Sequence, residues 1–259
     1  MNERSHVGEV LSCRDIHKSY GGLKVLRGVT LGVRRGEILG LTGANGAGKS
    51  TLIDVISGQT AYTSGEICIG GVPVSREGTA LRAQLGLARS FQRPQVALEL
   101  TLLDNIRVAR AAAGLSSPYR ILSAFVRGFV GPGDDDCAEI VRVCEQLSLR
   151  GLDRLAAEVT FGELRLLEFA RALLLRPKVI VLDEPFSGVG DAGINGIIDA
   201  LRALRAAGCA ILLVDHNIDL LTPLVDRMAL LAQGEIVVEG GVDACLESPV
   251  FRSTYIGVA

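Results

Sequence analysis

Eight consecutive residues, Gly43-Ala44-Asn45-Gly46-Ala47-Gly48-Lys49-Ser50, fit the pattern G-x-x-x-x-G-K-S/T. Glycines at these positions let the backbone curl so that consecutive N–H groups point at phosphate oxygens. A helix starting directly behind the loop adds a favourable field for negative charge. Lys49 can then reach the β- and γ-phosphates, and the Ser50 hydroxyl can ligate Mg²⁺. The expected nucleotide contacts are Gly43, Asn45, Gly46, Ala47, Gly48, Lys49, Ser50 and Thr51. A second chemical feature is the acid pair Asp183-Glu184 at the end of the apolar run Val179–Leu182. In open α/β sheets ligands sit beyond the carboxyl ends of strands, which would bring both carboxylates to the phosphates. Asp183 would hold the metal, and Glu184 would orient and deprotonate an attacking water. The plainer reading, in which the pair caps the next helix, loses weight because the lysine loop is in the same chain.

These residues need strands and helices to place them. Alternation of apolar and polar residues predicts strands over Val10–Ile16 and Val25–Val33, and a short buried strand over Glu37–Leu41. The glycine loop follows, then a helix over Lys49–Ser57 that turns Leu52, Ile53, Val55 and Ile56 inward and ends at Gly58. Gly65–Val74 reads as a hairpin segment. From Thr101 to Leu155 the pattern is helical, broken by irregular patches at Gly114–Pro118 and Gly131–Asp136. A long helical pattern runs from Phe161 to Leu175 and stops before Pro177, and the strand Val179–Leu182 follows. A helix over about Ile194–Ala207 then leads to a strand over Ala210–Val214. Such alternation is the α/β signature, with a helical insertion between two α/β stretches.

The 259 residues suffice for a substantial core, and the mean hydropathy is positive. No apolar run approaches the roughly 20 residues that cross a bilayer. The N-terminus, with Glu3, Arg4, His6 and Glu9, lacks the apolar stretch of a signal peptide. The sequence therefore predicts a soluble chain that meets membranes through a partner. A net charge of −2 with no basic stripe speaks against a general nucleic-acid binder. Six scattered cysteines with no CxxC pair favour a reducing compartment over a disulfide or metal scaffold. No N-K-x-D motif is present, which counts against a GTPase.

Taken together, nearly the whole chain resembles the nucleotide-binding subunits of ABC transporters. Val159-Thr160-Phe161-Gly162-Glu163 stands where that family carries its signature L-S-G-G-Q. Gln92, within Ser90-Phe91-Gln92-Arg93-Pro94, resembles the glutamine that senses Mg²⁺ and the attacking water. His216, after Val214-Asp215, resembles the switch histidine at the γ-phosphate. Tyr20, in Lys18-Ser19-Tyr20-Gly21-Gly22, stands where the family stacks an aromatic ring on adenine.

The resemblance implies a P-loop NTPase (RecA-like) α/β core with an antiparallel β-subdomain and a helical subdomain. The expected division is one ABC ATPase domain over 1–259, with core segments 1–91 and 160–259 and a helical subdomain over 92–159. It implies a homodimer or heterodimer in which Thr160, Gly162 and Glu163 of one cassette complete the ATP site of the other. Two transmembrane permease subunits, and indirectly a substrate-binding protein, would complete the assembly at the cytoplasmic face of the inner membrane. Two positions depart from the pattern. Glu163 replaces glutamine and adds charge near the partner's nucleotide, and Gly190 stands where the D-loop usually carries Asp or Asn. The ending Ser248–Gly257, the Phe91-Gln92-Arg93 run and the irregular insert Gly114–Asp136 resemble ATPases of branched-chain amino acid importers. Another importer, an exporter, or a non-transport ATPase of the same family stay open as alternatives.

Overall fold

The computed structural model describes residues 8–74, 77–90, 95–114 and 134–255. The chain forms two compact units. The first is drawn from Met1–Arg89, Lys178–Glu184 and Arg205–Ala259, and the second from Ser90–Pro177 and Pro185–Leu204.

Two sheets make up the first unit. Strands β1 (Glu9–Tyr20), β2 (Leu23–Arg34), β4 (Ser64–Ile69) and β5 (Val72–Pro73) form an antiparallel sheet in the order β2-β1-β4-β5. Strand β1 runs on past the predicted Ile16 because its ladder tolerates irregular steps, one of them around Asp15 with φ +50°. The second sheet has the order β10-β9-β3-β8-β7-β6. It uses β3 (Ile38–Thr42), β6 (Leu87–Arg89), β7 (Val179–Asp183), β8 (Ala210–Val214), β9 (Arg227–Ala232) and β10 (Glu235–Gly240). All neighbours in it are parallel except β9 and β10. Every residue of β3, β7 and β8 is buried, as parallel strands covered on both faces require. Their near-continuous apolar runs made these three legible in the sequence. Strands β6 and β10, and the helix Thr79–Gln84 (α2), carry weaker patterns and were not predicted; β9 was not predicted either, although 228–232 is a continuous apolar run.

Helix α1 (Lys49–Ser57) follows β3 and buries Leu52, Ile53, Val55 and Ile56, as its spacing predicts. Each such aliphatic burial contributes about 1.5–3 kcal/mol. Its C-terminal carbonyls meet an unpredicted partner, the buried guanidinium of Arg82 in α2. Arg82 Nη1 donates to the carbonyls of Val55 at 2.5 Å and Ile56 at 2.7 Å. Its Nη2 donates to Val74 at 2.8 Å and Nε to Glu77 at 2.9 Å. A cation at this end of a helix also meets the favourable end of its dipole.

The second unit is helical: α3 (Leu102–Gly114), α4 (Asp134–Gln146), α5 (Phe161–Leu174) and most of α6 (Asp191–Ala206). Glu139 of α4 pairs with Arg110 of α3 at 3.2 Å and with Arg176, just past α5, at 2.6 Å. The Arg176 hydrogen bond holds the Glu139 carboxyl below the ordinary carboxylate range. Buried Asn105 fixes the approach to α3 by exchanging bonds of 2.9 Å with the backbone of Ala97. The part of the insert at 115–133 lies outside the described residues.

Arg82→Met should lower stability by about 2–4 kcal/mol, because four backbone carbonyls, three of them in buried bonds, lose a charged donor. Urea unfolding of the two proteins side by side measures the difference; equal midpoints would show that these bonds contribute nothing net.

Candidate nucleotide site

The loop after β3 is tightly constrained. At Gly43, with φ +156°, an added Cβ would lie 2.2 Å from the carbonyl oxygen of Leu231, so only glycine lets the chain pass. Ala47 accepts a backbone bond from Gly234 at 3.1 Å, and Gly234 accepts one from Arg27 at 2.9 Å. The β9–β10 turn thus fixes the loop from behind. Gly48, with φ +109°, is the residue before α1, and no side chain caps that end. The first-turn N–H groups of α1 have no partners within the helix, and no acidic side chain sits in that turn. Asn45, Gly46 and Ser50 are exposed and Thr51 is half-buried.

Lys49 folds back over this loop, donating to the carbonyls of Gly43 at 2.6 Å and Ala44 at 3.0 Å. Burial pushes its ammonium below the ordinary lysine range, against an opposing pull from Glu184 and Asp183. One cation therefore lies within electrostatic reach of both acids. Loop, lysine and uncapped helix end together make an anion site of the kind phosphates use.

Asp183 ends β7 and is buried. Glu184 follows in the left-handed region, φ +49°, a strained setting for a residue other than glycine. Its N–H donates to Val214 at 2.8 Å, which pins the turn to the end of β8. Its carboxylate Oε1 lies 3.3 Å from His216 Nδ1. Asp215, between Val214 and His216, has its carboxyl pushed up by burial, against the Asn217 N–H bonded to it at 2.9 Å. Lys49, Asp183, Glu184 and His216 thus follow the carboxyl ends of three adjacent strands.

Tyr20 ends β1 with its ring half-exposed. Lys18 holds one face of that ring, its Nζ 4.4 Å from the centroid while it donates to the Ala61 carbonyl at 2.6 Å. Gln92 lies outside the described residues. Just before it Arg89 ends β6, and its Nη1 bonds Asp54 at 2.7 Å, Ser57 at 2.8 Å and Gln59 at 2.9 Å. Motif reasoning missed Arg82, Arg89 and Lys18, because an arginine or lysine reads the same in sequence whether it faces water or distant hydrogen-bond acceptors of the fold.

Thr160, Gly162 and Glu163 belong to the second unit. Thr160 caps α5 and Glu163 closes the cap. A Cβ on Gly162 would lie 2.6 Å from the Gly188 carbonyl oxygen, so the signature turn and the D-loop touch through a glycine. At Gly190 an added Cβ would meet nothing within 4 Å, and packing does not demand a glycine there.

Comparison with known proteins places this geometry. Residues 26–187 match the family described as ABC transporter. The chain is 32% identical, over 96% of its length and 98% of the relative's, to a probable branched-chain amino acid transport ATP-binding protein LivG of Methanocaldococcus jannaschii. It is 30% identical, over 97% of its length and 98% of the relative's, to a lipopolysaccharide export system ATP-binding protein of Acidithiobacillus ferridurans. The crystal structure of the ADP conformation of an ATP-binding cassette of an ABC transporter superposes with a TM-score of 0.80 at 31% identity, covering 96% of this chain and 99% of that one. A glycine-rich loop, an acid-ended strand and a nearby histidine on a P-loop α/β core, matched by the family over more than half the chain, have one reading: the protein belongs to the ABC transporter family, as an ATP-binding subunit that hydrolyses ATP to drive transport.

Proposed function

We propose that this cassette powers import of branched-chain amino acids or a related small solute through partner permease subunits. The observation that carries the hydrolytic part is the Glu184 carboxylate, held by a strained, pinned backbone 3.3 Å from His216 and within electrostatic reach of Lys49. The loop N–H groups and Lys49 bind the β- and γ-phosphates, and Tyr20 offers the free face of its ring to adenine. Glu184 takes a proton from water as the water oxygen attacks the γ-phosphorus. The bond to the bridging oxygen breaks, leaving ADP and phosphate. His216 donates to the γ-phosphate and Gln92 orients the water. The Ser50 hydroxyl and Asp183 carboxylate are hard oxygen donors, a set that suits Mg²⁺ and would hold it. When bound, that ion neutralises charge on the β- and γ-phosphate oxygens.

Two cassettes, alike or different, share two nucleotides in this reading. Thr160, Gly162 and Glu163 of each face the γ-phosphate held by the other. Among the described residues no helix is long and apolar enough to cross a membrane, which suits a peripheral subunit at the cytoplasmic face of the inner membrane. The substrate class rests on similarity to the LivG protein along nearly the full length of both chains, and on the sequence of the tail. The comparable similarity to a lipopolysaccharide export ATPase favours a second reading, in which the same motor serves export.

Assembly with its permeases in liposomes distinguishes them. ATP-driven accumulation of leucine or its relatives is expected; uptake of an unrelated solute only, or extrusion of lipid, would overturn the import reading. Glu184→Gln should cut turnover by at least about 100-fold while ATP still binds, since a general base contributes on the order of 10²–10⁴. Wild-type phosphate release from that variant would remove Glu184 from the base role. Lys49→Ala should weaken ATP binding by roughly 10–100-fold, the worth of a charge-assisted contact to phosphate, read by titration with a fluorescent analogue.

A further inference from the structure

Glu163 is the departure that most threatens ATP chemistry, because a carboxylate at the start of α5 would repel a phosphate. The structure accounts for both of its oxygens. Oε2 accepts from the Thr160 N–H at 2.9 Å and from the Thr160 hydroxyl at 3.0 Å. The Glu163 N–H donates to Thr160 Oγ1 at 3.2 Å. Oε1 takes a short ion pair with Arg154 Nη2. The same nitrogen donates to the Arg150 carbonyl at 2.9 Å. Arg154 is itself fixed: its N–H bonds the Gly151 carbonyl at 3.0 Å, and its carbonyl accepts from Leu102 at 3.0 Å. The guanidinium is thus built into the loop before α5, and Glu163 is only 27% exposed beneath it.

A helix leaves its first N–H groups without internal partners. The box satisfies those of Thr160 and Glu163, which leaves the N–H groups of Phe161 and Gly162 for an incoming anion. The hydrogen bond from Arg154 also holds the Glu163 carboxyl below its usual range, so it stays ionised at neutral pH and its charge has to be cancelled. We propose that Arg154 is a positioning residue of the ATPase cycle: by pairing with Glu163 it cancels the carboxylate's charge and holds the capping box shut, so that the first turn of α5 still accepts the γ-phosphate bound by a second cassette. This rests on the shared-nucleotide reading above. It goes beyond that reading in naming the residue that makes a glutamate workable in the signature.

Arg154→Met, which keeps the bulk and removes the charge, should lower kcat for ATP hydrolysis by about tenfold, the effect of about 1.4 kcal/mol of added repulsion. Binding of a fluorescent ATP analogue to the isolated chain should not change. The double variant Arg154→Met/Glu163→Gln should recover most of the loss, because no charge is then left to cancel. Arg154→Lys should retain more activity than Arg154→Met. Wild-type turnover in Arg154→Met, or a double variant as slow as the single one, would overturn the proposal; the second result would mean that Arg154 only braces its loop. Light scattering with ATP in a Glu184→Gln background separates the two levels. A chain that stays monomeric there overturns the shared-site reading together with this proposal. A chain that dimerises equally well with and without Arg154, at unchanged turnover, overturns the proposal alone.

Discussion

Two helices in this chain begin in opposite ways, and the contrast sets the chemistry. Helix α1 starts behind Gly48 with no capping side chain and no acid in its first turn, while its far end is covered by Arg82. Every compensation is placed at the carboxyl end, so the amino end is left short of hydrogen-bond acceptors. That deficit is what a triphosphate supplies. Helix α5 starts with a closed box and an acid, and needs an external cation to be neutral. The glycine loop is open by construction, whereas the first turn of α5 closes part of its own end and leaves only the N–H groups of Phe161 and Gly162.

The placement of the reacting groups follows from buried strands. Strands β3, β7 and β8 are covered on both faces, and β8 pairs with β3 over four consecutive residues and with β7 over five, without a shift. Fixed registers place Leu41, Val214 and Asp183 at one level of the sheet, and the residues just beyond them arrive together. The backbone bond from Glu184 to Val214 ties the turn after β7 to the end of β8 at that level. Charge is then added sparingly: one lysine, two acids and one imidazole.

Sequence was sufficient where the physics is local. The glycine loop, the acid-ended strand and the helix over Lys49–Ser57 each declare themselves within a dozen residues, through spacing and through runs that only a buried strand tolerates. It was insufficient where a long polar side chain bonds distant backbone carbonyls or distant side chains. Arg82 holds residues 26 and 27 positions away, and Arg89 reaches residues 30 to 35 positions away; no periodicity encodes such pairs. The edge strands β6 and β10 were missed for other reasons: β6 is only three residues long, and partial exposure weakens the pattern of β10. Glu163 shows the limit most clearly. Read as a letter it is a lone negative charge, and only the fold reveals the arginine nine residues upstream that accompanies it.

The left-handed backbone at Glu184 has a consequence for how such subunits drift. A non-glycine residue in that region costs on the order of 1–3 kcal/mol, held in place by the surrounding strands. Glycine would relieve the strain and keep the fold, but would delete the carboxylate. With Glu184 as the base proposed above, selection for stability and selection for turnover pull in opposite directions at this one position. A duplicated copy released from the need to hydrolyse would gain stability by losing its acid. In asymmetric pairs of cassettes, the silent partner is then expected to be the sturdier of the two.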